Sequence, residues 1–422
     1  LGIDFTQYFK NRLYYIDVKG MLSSLHGSAG AITALQNSVA HYYQRASSAD
    51  YLGVDPTRRS LTGTGGYVKV GRKGNAKWNF SETFTWSSPG FDLNDMGYMK
   101  ETDYLMNETE IMYRQTDIWK IFRYNAFTLS QKNMWNYGGT PFSNNASLRW
   151  QSMTMNRYEW DVKETFAWNW LDSRLLRGGP DVRFGSYFLT SAKFNTDKAK
   201  RMMFMLKYEG DHNFEGNRFN TISPSLTFRL GNHVYLSGQL DYAWNTDEMQ
   251  YVATTSPLSS SSLTPYYYVM GHMDQKTYGL TLKLQVNVTP DISIQFYGAP
   301  FTSIAKYDDF KLAADTKSHT FENRFQRIDP DHLTYADGVY TIGEGAGQMP
   351  FRNPDFRFNE FRSNLVARWE YLPGSTLYFV WEHRMSNRDN WYSSGWGSNL
   401  DRMWGLPATN TFMIKMNYWF NL

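Results

Sequence analysis

Between Tyr278 and Val288 every second residue is apolar. Tyr278, Leu280, Leu282, Leu284, Val286 and Val288 alternate with Gly279, Thr281, Lys283, Gln285 and Asn287. A period of two puts one set on each side of an extended chain, so this stretch predicts a two-faced β-strand. After Thr289-Pro290-Asp291 the rhythm resumes as Ile292, Ile294 and Phe296 against Ser293, Gln295 and Tyr297, which predicts a hairpin. The same alternation runs through Met202, Phe204, Leu206 and Tyr208, and through Leu365, Ala367, Trp369 and Tyr371. There Leu372-Pro373-Gly374-Ser375 turns the chain into Leu377, Phe379 and Trp381. One segment departs from the rule. From Tyr158 to Trp170, Glu164 falls on the face of Trp160, Val162, Phe166 and Trp168. A carboxylate in mid-bilayer costs a few kcal/mol, so a bulge, a near-interface position or a protein neighbour is expected there.

The connections alternate in length. Short turns are expected near Lys10-Asn11, Lys73-Gly74-Asn75, Ile118-Trp119, Asn156-Arg157, Thr196-Asp197, Gly231-Asn232, Pro290-Asp291 and Pro373-Gly374. Longer segments separate them: Ser23 to Gly63, Pro89 to Asp103, Tyr137 to Asn145, Leu171 to Gly185, Gly210 to Asn217, Asn245 to Pro265, Thr302 to Glu360 and Met385 to Thr409. Short turns on one side and long loops on the other mark a transmembrane antiparallel β-barrel of the outer-membrane type, with the loops outside the cell. Counting segments gives about 17 strands, the first running toward the turn side and the last ending there; a complete barrel with both termini on the turn side has an even number, so further strands are expected upstream. The expected organisation is therefore one barrel domain over residues 1–422, the C-terminal portion of a larger one. The final strand, Phe412 to Leu422, places Phe412, Ile414, Met416, Tyr418, Phe420 and Leu422 on one face. It resembles the terminal signal read by barrel-assembly machinery, through Phe412, Met416, Tyr418, Phe420 and Leu422.

Composition fits that picture. Aromatics reach 17%, with 15 Trp, 30 Tyr and 28 Phe. Two interfacial girdles consume Trp and Tyr, whose rings join an apolar body to a polar edge. No run approaches the roughly 20 apolar residues of a membrane helix. A mean hydropathy of −0.56 is no objection, because alternating strands average low. The absence of cysteine removes disulfides, thiolate metal sites and Cys nucleophiles. A net charge of +3 without any block of like charge gives no support to nucleic-acid binding. The expected surroundings are outer-membrane lipid and lipopolysaccharide in a Gram-negative cell.

Several segments resemble a family of exported proteins in which a domain like carbohydrate-binding module family nine precedes a large barrel domain of unknown function. The resemblance rests on Ala31-Ile32 through His41-Tyr42-Tyr43-Gln44-Arg45, Val54-Asp55-Pro56-Thr57-Arg58, Ser88-Pro89-Gly90 with Leu93 to Tyr98, and Arg174 to Pro180. It continues through Trp244-Asn245-Thr246-Asp247, Gln295-Phe296-Tyr297-Gly298 and, above all, Phe361 to Tyr371 with Pro373 to Tyr378. It implies that the carbohydrate-binding-like domain and the first strands are missing from this sequence, and no sugar-site residue is carried over.

Candidate chemistry is sparse. No His-Glu-x-x-His or Gly-x-Ser-x-Gly motif occurs, so no catalytic, cofactor or metal residue is nominated. His26 and His41 read as structural loop histidines. Asp329-Pro330-Asp331-His332, with Asp337 and Glu344 nearby, reads first as a solvated acidic loop and second as a hard-cation site. Inward carboxylates Glu159, Asp161, Glu209 and Glu370 are expected to pair with Arg201, Lys207, Arg368 and Lys415 in a polar lumen. Gly63-Thr64-Gly65-Gly66 and Gly343 to Gly347 read as flexible loop. Loop aromatics Tyr42, Tyr43, Tyr266, Tyr267, Tyr268, Trp391, Tyr392 and Trp396 read as loop packing and girdle, or as sugar or protein contacts. Three functions follow. The first is passage or surface handling of a glycan or other solute, with the segment from Thr302 to Glu360 as a constriction or lid. The second is a scaffold or accessory subunit of an outer-membrane complex, contacting other surface proteins. The third is an anchor and export platform for a complete protein that binds or hydrolyses surface polysaccharide.

Overall fold

Each alternating run becomes a strand, and each short turn bends back where its residues permit. Gly231 and Gly374 take φ of 62° and 80°, the left-handed region open to glycine, and close two of these turns. A computed structural model describes all residues except 46–50, 75, 95–96, 169, 259–265, 391–395 and 421–422. The first strands are β1 (Gly2–Phe9), β2 (Tyr14–His26), β3 (Ser60–Arg72), β4 (Trp78–Ser87), β5 (Tyr104–Gln115), β6 (Phe122–Trp135), β7 (Pro141–Thr154) and β8 (Glu159–Trp168). A small hairpin follows, β9 (Trp170–Asp172) with β10 (Val182–Phe184). The wall resumes with β11 (Tyr187–Asn195), β12 (Met202–Asn213), β13 (Arg218–Leu230), β14 (Val234–Thr255), β15 (Tyr267–Asn287) and β16 (Ile292–Ala313). After the three-residue β17 (Phe325–Arg327) comes a separate sheet of β18 (Leu333–Ala336), β19 (Val339–Ile342) and β20 (Met349–Arg352). The last strands are β21 (Phe356–Leu372), β22 (Ser375–Asp389) and β23 (Thr409–Asn417). Helices α1 (Ala29–Gln36) and α2 (Trp396–Trp404) lie in loops. Among the described residues no helix is long and apolar enough to cross a membrane.

The wall is an antiparallel meander of 17 strands, each paired with its neighbour from β1 to β8, then through β11 to β16 and on through β21 to β23. Among the described residues no ladder joins β1 to β23, and both edge strands are exposed throughout. Cross-strand register puts Ile111, Leu129, Leu148, Leu226, Leu240 and Leu282 on the outer face, all exposed. The inner face is polar. There Ser130 and Ser147 hydroxyls meet at 2.6 Å, and Gln275 donates to Ser303 at 3.0 Å. Arg362 and Arg384 share Glu360 at 2.8 and 3.0 Å.

The expected carboxylate pairing holds for Lys207 with Glu209 (2.7 Å) and Arg368 with Glu370 (2.5 Å). Asp161 instead takes Arg149, whose Nε donates at 2.7 Å, and Glu159 takes Lys198. Arg201 and Lys415 make no ion pair among the described residues. They lie at the turn end, where solvent serves them as well.

Four readings of the sequence need correction. Residues 63–66 are ordered strand in β3, and the glycines are steric: a Cβ on Gly63 would lie 2.1 Å from Phe91 N, and one on Gly65 would lie 2.3 Å from the Phe91 ring. Several loops are shorter than expected, because β14, β15 and β16 run on for 22, 21 and 22 residues. At about 3.3 Å per residue these strands project well beyond the others. The final ladder stops at Asn417, with Tyr418 to Phe420 beyond it and Leu422 outside the described residues. Finally, Gly345–Gly347 is a 3-10 turn joining β19 to β20.

Glu164 sits in an unbroken register between Leu148 and Thr190. Its expected relief is a neighbour and not a bulge, since the Thr190 hydroxyl donates to it at 2.7 Å. Glu82 repeats the arrangement on β4, taking the Thr109 hydroxyl at 2.6 Å and the Asn107 amide.

Candidate functional site

The loops form a cap at the end opposite the short turns, and three buried apolar clusters of the described residues lie in it. Tyr43, Leu52 and Leu61 pack with Leu35 of α1. Ser28 caps α1 by accepting from Ala31 N at 3.2 Å, and buried Gln36 holds both backbone groups of Asp55 at 2.8 and 2.9 Å. Leu176 and Val182 meet Met249, Met270 and Phe325. Ile342 and Phe351 of the three-stranded sheet pack on Val269, Met273, Ala305 and Tyr307. Register places Met273 and Tyr307 on the face of Gln275 and Thr277, so the three-stranded sheet packs on the inner side of the wall. Helix α2 takes the opposite face, with Trp404 packing edge-on to Phe361 at 4.8 Å.

Charged groups lock the loops together. Asp103 receives Arg45 and Tyr51 at 2.7 Å each and the Tyr137 amide at 3.1 Å, joining three loops. Arg324, 1% exposed, grips Glu215 with two bonds of 2.6 and 2.9 Å and donates to the Arg183 carbonyl at 2.7 Å. Thr316 and Lys317 close on Asp181. Tyr42 and Tyr43 are spent on this packing: Tyr42 bonds the Arg174 carbonyl at 3.3 Å, and burial pushes the Tyr43 hydroxyl up to about 12. His41, fully buried 3.6 Å from Asp92, is held below the usual histidine range by burial, which outweighs the Asp92 charge.

Beneath the cap lies a chamber of two lobes that share Trp170, Asp172, Tyr187 and Asp211. The larger, about 560 Å³, has mixed charge from Arg45, Lys132, Arg174, Glu101 and Asp181. Burial lowers the Arg174 guanidinium despite Glu101 at 3.5 Å. The smaller, about 250 Å³, sits between the β9–β10 hairpin and the loop ends of β11 to β14. Trp170, Phe184 and Tyr187 form one aromatic group, with Trp170 to Tyr187 ring centroids 5.6 Å apart. Asp211, Asp247 and Asn245 line the lobe as well. Burial, reinforced by Glu248, raises the Asp247 carboxyl above its ordinary value.

The acidic segment near Asp329 and Asp331 stays apart from this chamber. Asp329 caps the 3-10 turn Pro330–His332, accepting from Asp331 N at 3.0 Å. Among the described residues no three His, Asp or Glu side chains converge as a metal site. His26 bonds Ser24 at the end of β2. Tyr266 is exposed, Tyr267 and Tyr268 begin β15, and Trp391 and Tyr392 lie outside the described residues. Sequence reasoning missed the chamber, because its residues come from distant segments. Glu82 was legible: Trp78-x-x-x-Glu82-Thr83-Phe84-x-Trp86 repeats Trp160-x-x-x-Glu164-Thr165-Phe166-x-Trp168.

A family model described as a domain of unknown function, DUF5916, matches residues 27–422. The chain belongs to the DUF5916 family. The matched span of DUF5916 covers the whole cap and all of the wall from β3 onward. No match is found among curated proteins. Among solved structures, the siderophore receptor PirA from Acinetobacter baumannii is similar at 10% identity, covering 98% of this chain and 70% of that one, with a TM-score of 0.39. That likeness is too loose to bear on what a DUF5916 chain does.

Proposed function

We propose that this chain forms the wall and mouth of an outer-membrane barrel that handles a polar solute, a glycan or similar molecule, under a closed cap. The observation that carries the reading is the polar two-lobed chamber roofed by interlocked loops on a wall with an apolar outer face. Support for the membrane comes from the girdle spacing. On β4 and on β8 two outer-face tryptophans, Trp78 and Trp86, then Trp160 and Trp168, lie eight residues apart. Eight residues span about 26 Å along a strand and, at a tilt of about 40°, rise about 20 Å, close to the roughly 25 Å apolar band of outer-membrane barrels. Lipid and lipopolysaccharide would cover that band, and Phe412, Met416, Tyr418, Phe420 and Leu422 would serve recognition by assembly machinery. Further strands of the same polypeptide would close the wall. Edge strands β1 and β23 run in the same direction, so an odd number of antiparallel strands fits between them, and lipid tolerates no open sheet edge. A carbohydrate-binding-like domain ahead of the barrel, which the family resemblance implies, would suit glycan handling.

Planar-bilayer recording of the whole protein tests the reading. The expected result is a closed wild type and a current in Glu215→Ala, which frees the lid from Arg324. A steady open pore in the wild type, or no current in the variant, would overturn it.

A further inference from the structure

The smaller lobe of the chamber is chemically lopsided. Its lining joins an aromatic group, Trp170, Phe184 and Tyr187, to the carboxylates Asp211 and Asp247. The remaining polar groups are largely occupied. Asn217 N donates to Asn213 at 2.8 Å, while the Asn217 side chain accepts from Glu248 N at 2.7 Å. Asp172 accepts from Arg174 N and Leu175 N at 2.7 and 3.0 Å. Asp247 spends one oxygen on Met249 N at 2.9 Å, and the Asp211 carboxylate makes no hydrogen bond or ion pair among the described residues. Against the three carboxylates of this lobe stands one cation, Arg218, exposed on β13. Carboxylates in excess of cations, together with aromatic rings, match a ligand that brings both positive charge and an apolar surface.

We propose that this lobe binds a protonated amine carried on a compact ring, of the size of one amino-sugar unit. Asp211 and Asp247 accept from the ammonium, and the rings of Trp170 and Tyr187 cover the ligand's apolar face. At about 250 Å³ the lobe falls below the ~300–1,000 Å³ of sites for drug-sized molecules, which limits it to a single ring. The inference rests on the capped-chamber reading and narrows it, because it says which substituent the chamber selects.

Calorimetric titration of the detergent-extracted whole protein with glucosamine and with glucose tests it. Glucosamine should bind about tenfold tighter than glucose, the difference of one charge-assisted contact. The double variant Asp211→Asn with Asp247→Asn should erase that preference, while Asp329→Asn on the far loop should keep it. Heat-dependent gel mobility reports that each variant is folded. If the double variant fails to fold, the comparison of the two sugars on the wild type still decides. Equal affinities for glucosamine and glucose overturn the amine assignment and leave the capped chamber standing. No binding of glucosamine by a folded wild type also overturns it, and the bilayer recording then judges the chamber separately.

Discussion

The wall and the cap are held together in opposite ways. In the wall, Leu129, Leu148 and Leu282 point outward with 56, 56 and 40% of their surface free, and the buried apolar clusters of the described residues gather at its loop end. Its cohesion is ladder hydrogen bonding, completed inside by pairs such as Arg149 with Asp161. In the cap, Ile32, Leu61, Val182 and Met249 are nearly fully buried, as in a small soluble protein, and each such side chain contributes roughly 1.5–3 kcal/mol relative to exposure. The wall thus depends on an apolar solvent to cover it. The cap carries its own core and can remain ordered in water. A molecule divided in this way can change its mouth without disturbing its wall, and that is what a gate requires.

Substitutions that strike one region and spare the other break or sharpen this contrast. The largest effect is expected from Arg324→Ala. It leaves Glu215 buried without its partner, at a cost of about 3–5 kcal/mol, and hydrogen exchange across residues 314–328 should rise while wall amides stay protected. Equal loss in the wall would mean that the two regions fold as one. Next is Gly63→Ala, whose methyl would meet Phe91 N at 2.1 Å. Overpacking of about 1–3 kcal/mol should release residues 88–103 to limited proteolysis, with heat-dependent gel mobility unchanged. On the wall side, Glu164→Leu should stabilise the protein in lipid vesicles by about 1–2 kcal/mol in urea unfolding, by removing a carboxylate from the apolar band. The change should leave cap exchange untouched.

The smallest effect concerns acid. His41 has a lowered folded value, so the stability tied to its neutral form is complete above the ordinary histidine value of about 6.5 and is lost as pH falls from there toward the folded value. Exchange over residues 29–45 should be faster at about pH 5 than at about pH 7, and His41→Gln should flatten that difference. A pH effect that survives the substitution would place the sensitive group elsewhere.

Much of the wall was legible one segment at a time. The eight short turns fall where Lys10-Asn11, Gly231-Asn232, Pro373-Gly374 and their counterparts stand, because turn conformation is a property of a few adjacent residues. The alternation from Tyr278 to Val288 likewise names a face for each residue in the second half of β15. Loop boundaries were harder. β14 and β16 continue past Asn245 and Thr302 because Met249, Ile304 and Tyr307 find partners in the cap, and those partners are distant in sequence. The glycines from Gly63 to Gly66 show the same limit. Their composition suggests flexibility, yet Gly63 and Gly65 are small because Phe91 needs the space, and Gly66 because Lys19 O and Trp86 do.

By itself, then, the sequence determined the strand period, the turn positions, the side bearing long loops and the absence of thiol chemistry, since each follows from neighbouring residues and the backbone's own geometry. Only the tertiary structure decided which loops interlock, that Glu215 meets Arg324 across 109 positions and Asp181 meets Thr316 across 135, and that Asp211 and Asp247 join Trp170 in one lobe. Curvature of the wall brings those segments together, and no local pattern encodes a meeting between residues that far apart along the chain.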